Sequence, residues 1–468
     1  MENVRIILKF VEGFYIAYLM CYALILAGSV IVGALSIYDS MRKRKLKNIF
    51  EVDKNIKISI IVPAYNEEVT IMDTIESLTK LDYLDYEIII VNDGSKYDTL
   101  TKIIKNCGVK KTDKFVLNKI PTKLIKSIYT GEYNGVSMTV IDKENGGKAD
   151  SLNCGINVAN NQWFICIDAD SVLQTDALKK VIVPILEDDS VIASGGAIMI
   201  SNGVTLKNGK VEHYDIPKNI LASMQVVEYN RTFLASRIMF DKFNANLIIS
   251  GAFGLFNKDI VIAAGGYEAS TRGEDMELVI KLHTFCRTNK RKYKIKYVPE
   301  AICWTQSPEN LKGLMSQRKR WHIGLYECMK KYKNIFLKPE HGTVGSLAYL
   351  YFLMYEFLSP YIEVAGVFVT VAMFLLNLIN IKFMLGFYVF YTLMGVMISV
   401  AAYCTTVYMN ELGFDFKKLL KVTLLCFFEV GVLRFILTWV RFSALFGYNK
   451  NKYSWGKIQR KEIKKVEN

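Results

Sequence analysis

The spacing of apolar and polar positions predicts two kinds of structure in this chain. Ile58 to Ala64 and Tyr86 to Asn92 are short continuous runs rich in Ile and Val. Such runs suit strands buried on both faces. Between them, Glu67 to Leu81 places Ile71, Ile75 and Leu78 at helical spacing. Strand, helix and strand make a β-α-β unit, so the pattern predicts an α/β domain with a mostly parallel sheet. Trp163 to Ile167 predicts a third strand of the same kind.

Other stretches are too long and too apolar for a soluble domain. Phe14 to Tyr38 is 25 residues without a charge, and about 20 apolar residues suffice to span a bilayer as a helix. A basic cluster follows at Arg42, Lys43, Arg44, Lys45 and Lys47, on the wrong side for a cleavable signal peptide. It predicts an N-terminus outside and a cytoplasmic domain after it. Phe383 to Met409 is another clean span. Thr343 to Ile381 carries Glu356, Pro360 and Glu363, which predicts a kinked or interfacial lead-in before a span. A last apolar stretch, Phe416 to Tyr448, contains Glu429, Arg434 and Arg441. Central charges cost about 2.5–3.5 kcal/mol each on insertion scales. The stretch is therefore expected to lie in the cytoplasmic interface, leaving the tail, with seven basic and two acidic residues, inside.

Composition fits this hybrid. Hydrophobic residues make up 51% and charged residues 22%, and the mean hydropathy is +0.19. Disorder, collagen and small disulfide scaffolds are excluded. The net charge of +14 belongs to the cytoplasmic face of a membrane protein rather than to a nucleic-acid partner, because basic clusters flank the apolar segments. The nine cysteines form no CxxC pair and read as packed, reduced thiols.

Candidate chemistry collects where the strands end. They run into Tyr65-Asn66-Glu67, Asp93-Gly94-Ser95 and Asp168-Ala169-Asp170. Ligands of such sheets gather at this edge. Like charges repel, so clustered acids there suit a hard divalent cation together with phosphates. Each motif alone has an ordinary structural explanation, since Asp favours turns and acids favour helix N-termini, as at Gly273-Glu274-Asp275.

Taken in order, PAYNEE (63–68), VNDGS (91–95), GGKADSLN (146–153), DAD (168–170), ISGAFGLF (249–256), GED (273–275) and QRKRW (317–321) resemble the processive family 2 glycosyltransferases. These are the membrane synthases of cellulose, hyaluronan, chitin and poly-N-acetylglucosamine. The resemblance covers about residues 55 to 330, and over Ile249 to Glu327 it is to bacterial poly-β-1,6-N-acetylglucosamine synthase catalytic subunits. It implies a GT-A catalytic fold, a UDP-sugar donor such as UDP-GlcNAc or UDP-Glc, Mg2+ or Mn2+, and anomeric inversion. Carried over by motif, Tyr65 and Glu67 line the uridine site, Asp93 contacts the nucleotide, and Lys148 lies near the diphosphate. Asp168 and Asp170 hold the sugar nucleotide and the cation. Asp275 is the general base, with Glu274 pointing elsewhere. Gln317 and Arg320 close on the leaving diphosphate, and Gly251 and Trp321 meet the acceptor.

The implied organisation is an N-terminal membrane helix with its basic stop (1–44), a cytoplasmic GT-A catalytic domain (45–305), interfacial helices carrying QRKRW (306–342), C-terminal membrane segments (343–448) and a basic tail (449–468). The protein would sit in the cell membrane as a multi-pass chain and extend an exopolysaccharide. The alternative is single transfer to a lipid acceptor. A dead scaffold is the least favoured third reading, because every acidic motif position is filled. A channel needs more spans than these four segments, which leaves room for an accessory subunit or a homo-oligomer. The chain departs from the pattern at Ser171, where some cellulose synthases have His, and at Gly273, where TED is usual. It also carries a lysine-rich insertion from Gly108 to Val140, read as a surface hairpin, and Tyr453 to Lys457 faintly resembles a chitin synthase motif.

Overall fold

The computed structural model describes residues 2–46, 56–207, 209–446 and 448 of the 468. The tail from 449, including Tyr453 to Lys457, lies outside the described residues. The described residues form twelve strands: β1 (Ile58–Ala64), β2 (Tyr86–Asn92), β3 (Lys110–Thr112), β4 (Ile125–Tyr133), β5 (Val136–Lys143), β6 (Trp163–Cys166), β7 (Ser171–Leu173), β8 (Val191–Ile200), β9 (Val204–Lys207), β10 (Lys210–Tyr214), β11 (Gly254–Asn257) and β12 (Lys294–Thr305). Ten of them form one sheet in the order β3-β4-β5-β2-β1-β6-β11-β8-β12-β7. The centre pairs parallel, β5 to β2, β2 to β1 and β1 to β6, and β11 runs antiparallel between β6 and β8. The continuous Ile and Val runs of β1 and β2 are buried on both faces, as their pattern predicts. The Gly108 to Val140 insertion is more than a surface hairpin. Asn134 and Gly135, both at positive φ (50° and 80°), turn β4 into β5. β5 then pairs in parallel with β2 inside the main sheet, because Val136, Met138 and Val140 have a buried face to fill.

The apolar stretches form helices. Glu2–Leu46 is one helix, and its segment Ile6–Ser36 is long and apolar enough to cross a membrane, as is Ile381–Met409. Val344–Phe357 and Ser359–Leu375 would make a third span if taken together, but they meet at 47°. Pro360 stands in the first turn of the second member, where its missing N–H breaks no bond. From Phe416 to Phe442 the chain is helical throughout, with a π-turn at Glu429–Leu433. Helix Ile220–Lys242, drawn from the middle of the polar block, has the least expected position. One side packs on β8 and β12, and the rest lies along Glu2–Leu46 and Ile381–Met409. It forms the floor between the sheet and the apolar helices. All nine cysteines are free.

Candidate active site

The three acidic turns meet at the carboxyl edge of β1, β2 and β6. The backbone register makes them meet: Ala64 lies opposite Asn92, the Asp93 N–H donates to the Ala64 carbonyl at 2.9 Å, and the Ile167 N–H donates to Ile61. Asp93 is buried, and its carboxylate accepts from Lys143 Nζ (2.7 Å), the Gly146 N–H (2.9 Å) and the Gly147 N–H (2.8 Å). Its oxygens therefore hold the glycine loop that opens helix Lys148–Val158. Lys143 itself is fully buried between Asp93 and Asp150. Sequence reasoning missed it, because in the sequence it is one more lysine in a basic stretch.

That loop delivers Lys148. Its ammonium forms an ion pair with Asp168, and Glu274 Oε1 lies 3.8 Å away. Burial alone would lower the pKa of the Lys148 amine, but Asp168, then Glu274, and more weakly Asp275, together raise it above the usual lysine value. Burial, and next the charge of Asp168, push the Asp170 carboxyl up to about 6. Two carboxylates crowded this way suit a cation. Among the described residues no group of three or more His, Cys, Asp or Glu side chains could hold a metal.

Asp275 stands in the first turn of helix Glu274–Thr288. Its Oδ1 accepts from the Met276 N–H (2.8 Å) and its Oδ2 from the Gly251 N–H (3.2 Å). A side chain at Gly251 would crowd this spot, since a Cβ there would stand 3.1 Å from Lys148 Nζ. Glu274 does not point elsewhere: it shares Lys148 with Asp168, and burial raises its pKa against the pull of that lysine. The first helical turn puts both carboxylates within electrostatic reach of the same lysine.

QRKRW lies on helix Leu311–Lys331. Gln317 Oε1 is shut from solvent without a protein hydrogen-bond partner among the described residues. Arg320 is exposed at the wall and acts electrostatically on Glu274. Trp321 is 42% exposed. Its ring is backed by the Arg318 guanidinium, 4.3 Å from the ring centroid, and Glu228 holds that Arg318 at 2.8 Å. Neither support was singled out from sequence.

One cavity of about 2510 Å³ is lined by every predicted site residue, from Tyr65 and Glu67 through Asp93, Lys148, Asp168 and Asp170 to Gly251, Asp275, Gln317, Arg320 and Trp321. It continues past Trp321 among the apolar helices, to Glu356, Glu363, Glu429, Arg434 and Arg441. Glu363, Glu429 and Arg434 are paired there. Arg231, on helix Ile220–Lys242, grips Glu429 with two bonds (2.7 and 2.8 Å) and also reaches Ser399. Arg434 donates to Glu363 at 3.1 Å and Thr438 donates to the same carboxylate at 2.8 Å. The cost of inserting Glu429 and Arg434 is thus offset within the protein, and their charge is no argument against crossing.

The fold resembles that of a solved structure. A mannosyltransferase from Pyrobaculum calidifontis, in complex with GDP-Man and Mn2+, matches with a TM-score of 0.51 at 18% identity, covering 84% of this chain and 99% of that one. The fold is therefore that of a GT-A glycosyltransferase. Residues 59–117 match Glycosyl transferase family 2, and residues 127–324 match Glycosyltransferase like family 2. The poly-beta-1,6-N-acetyl-D-glucosamine synthase of Staphylococcus aureus (strain COL) is 30% identical over 343 residues, 72% of this chain and 71% of the relative. The synthase of the same name from Staphylococcus epidermidis is 30% identical over 300 residues, 64% of this chain and 60% of that one. The chain belongs to glycosyltransferase family 2.

Proposed function

We propose that this enzyme transfers a sugar, with inversion, from UDP-GlcNAc or UDP-Glc to the end of a growing β-linked polysaccharide. The observation that carries the reading is the single cavity that joins Lys148, Asp168 and Asp275 to Trp321 and then runs on among the apolar helices. Donor and acceptor can thus enter from different sides and meet at Asp275.

Asp275 takes the proton of the acceptor hydroxyl as its oxygen bonds to the anomeric carbon from the face opposite the diphosphate. The bond from that carbon to the diphosphate breaks, and UDP leaves with the electron pair. Lys148 and Arg320 stabilise the charge that gathers on it, Arg320 through its planar fork. Asp168 and Asp170 would hold Mg2+ or Mn2+, which supplies further neutralisation of the diphosphate. Asp93 serves through the Gly146-Gly147 loop, Tyr65 and Glu67 border the nucleoside, and Gln317 closes the site beside Arg320. Trp321 stacks on the acceptor ring beside Gly251. The membrane arrangement that goes with this reading has the N-terminus outside, the sheet domain cytoplasmic and Phe416–Tyr448 on the inner side, in a multi-pass protein of the cell membrane. A second copy or an accessory subunit completes the export path.

The test is a panel of UDP-sugars offered to the purified protein in detergent, with product size measured. The expected result is a polymer from one UDP-hexose, formed with Mg2+ or Mn2+ and lost in excess EDTA. A product of one added sugar on a lipid would establish the alternative instead.

A further inference from the structure

One carboxylate outside the cavity lining joins three separate parts of the chain. Glu327 lies on helix Leu311–Lys331, with Gly324 one turn before it and Arg320 a further turn back. Residues at i, i+4 and i+7 share a helix face, and this face meets the loop that leads into Asp275. Glu327 Oε2 accepts from the Arg272 N–H at 2.7 Å and the Thr271 hydroxyl at 3.1 Å. The Thr271 oxygen accepts in turn from the Gly273 N–H at 3.2 Å. Glu327 Oε1 accepts from the Tyr448 hydroxyl at 2.8 Å.

A steric seam lies beside these bonds. A Cβ at Gly324 would stand 2.8 Å from the Gly273 nitrogen and 3.0 Å from the Arg272 carbonyl carbon. The two backbones are therefore in contact, which accounts for Gly273 where the family usually has Thr. Sterics set how closely the loop approaches the helix. The hydrogen bonds to Glu327 set where along the helix it sits. Asp275 follows two residues after the seam, and Arg320 precedes it by one helical turn.

We propose that Glu327 is a positioning residue for sugar transfer. By holding Thr271, Arg272 and Gly273 it fixes Asp275 relative to Arg320 and Trp321, and through Tyr448 it links that spacing to the end of the last apolar segment. The inference rests on the transferase reading above. A base displaced by about 1 Å can lose about 10²-fold in rate, so small slips of the loop matter. A displaced base also leaves the donor bound without a well-activated acceptor. Water then competes, and UDP is released without transfer.

The experiment compares wild type, Glu327→Ala, Glu327→Gln and Tyr448→Phe as full chains in detergent. It measures sugar incorporated, UDP released, donor KM and hydrogen exchange of the amides of residues 271–275. Glu327→Ala is expected to lower incorporation about tenfold or more, to raise UDP released per sugar incorporated about threefold, and to leave donor KM within about twofold. Its 271–275 amides should exchange about tenfold faster. Glu327→Gln, which keeps one accepting oxygen, should recover incorporation to within about threefold of wild type, and Tyr448→Phe should lose no more than that. Should Glu327→Ala fail to accumulate, Thr271→Val carries the same expectations at about threefold. Unchanged exchange at 271–275 overturns the proposal, as does incorporation and UDP release falling in parallel. If wild type uses no UDP-sugar, the transferase reading fails, and hydrogen exchange alone decides the role of Glu327.

Discussion

The two ends of the cavity handle charge differently. At the sheet edge, charges are held by backbone donors and by lysines at a strand end and a helix start. Asp93 has two loop N–H donors and a buried lysine, and Asp168 has Lys148. Between the apolar helices, charges are held by other helices: Arg231 by Glu429, 198 residues away, and Arg434 by Glu363, 71 residues away. The first arrangement fixes a small rigid pocket. The second places polar groups along a wall without anchoring any of them to a strand. A site that must orient a diphosphate needs the first, and a passage needs only the second.

The largest expected effect belongs to the sheet edge. Asp275→Asn keeps the shape of the site and removes the base proposed above, so turnover should fall by about 10²–10⁴-fold with donor affinity retained. Initial rates and UDP-sugar binding check this, and turnover within a few-fold of wild type would place the base elsewhere. Glu274→Gln should be milder in turnover, but because Glu274 faces Lys148 its effect should appear in donor KM.

Lys143→Met tests the rigidity of that pocket. It leaves Asp93 and Asp150 buried without their shared cation, at a cost of about 3–5 kcal/mol. Thermal unfolding in detergent should show the loss, together with weakened donor binding as the Gly146-Gly147 loop loosens. A stable variant with normal donor affinity would mean that the backbone donors alone hold Asp93.

The passage should respond less. Glu429→Gln strands Arg231 and should cost about 3 kcal/mol, at the low end for a buried pair because Arg231 keeps some exposure. Replacing both partners with Met should recover most of that stability. If the double variant is stable, polymerises and makes shorter product, the pair serves the passage. If product length is unchanged, the pair is structural only.

The smallest effect is a pH signature confined to the catalytic half. His283, on the helix that begins at Glu274, is fully buried, with its ring nitrogens on the Tyr293 hydroxyl (2.7 Å) and the Asn246 carbonyl (2.8 Å). Burial pushes its pKa down to about 4. The unfolded chain takes up this proton near pH 6.5 and the folded chain does not. Its contribution is therefore fully present above pH 6.5 and fades as pH falls to about 4. Unfolding curves across this range, compared with those of His283→Gln, should differ in slope accordingly.

How much of this was legible in the sequence follows the same division. β1 and β2 begin and end where their apolar runs do, because a strand buried on both faces leaves its limits in the composition. The acidic turns, GED and QRKRW each sit in contiguous segments, so order along the chain was enough to assemble them. Lys143 escaped notice because its partner Asp93 is 50 residues away, and Arg318 because Glu228 is 90 away. Periodicity reports which face of an element is apolar, not which distant charge meets it. Glu429 was visible as a charge in an apolar stretch, yet the nearby Arg434 and Arg441 were equally good partners on paper. Only the packing of helix Ile220–Lys242 brings Arg231 to it.

That helix also orders events during synthesis. It emerges from the ribosome after Glu2–Leu46 but long before Ile381–Met409, and it packs against both. Until the later helix has been made and placed, the underside of the sheet lacks its final support, and the wall carrying Glu228 and Arg231 is incomplete. A nascent or truncated chain ending before residue 381 therefore holds all of its motif acids without the assembled passage.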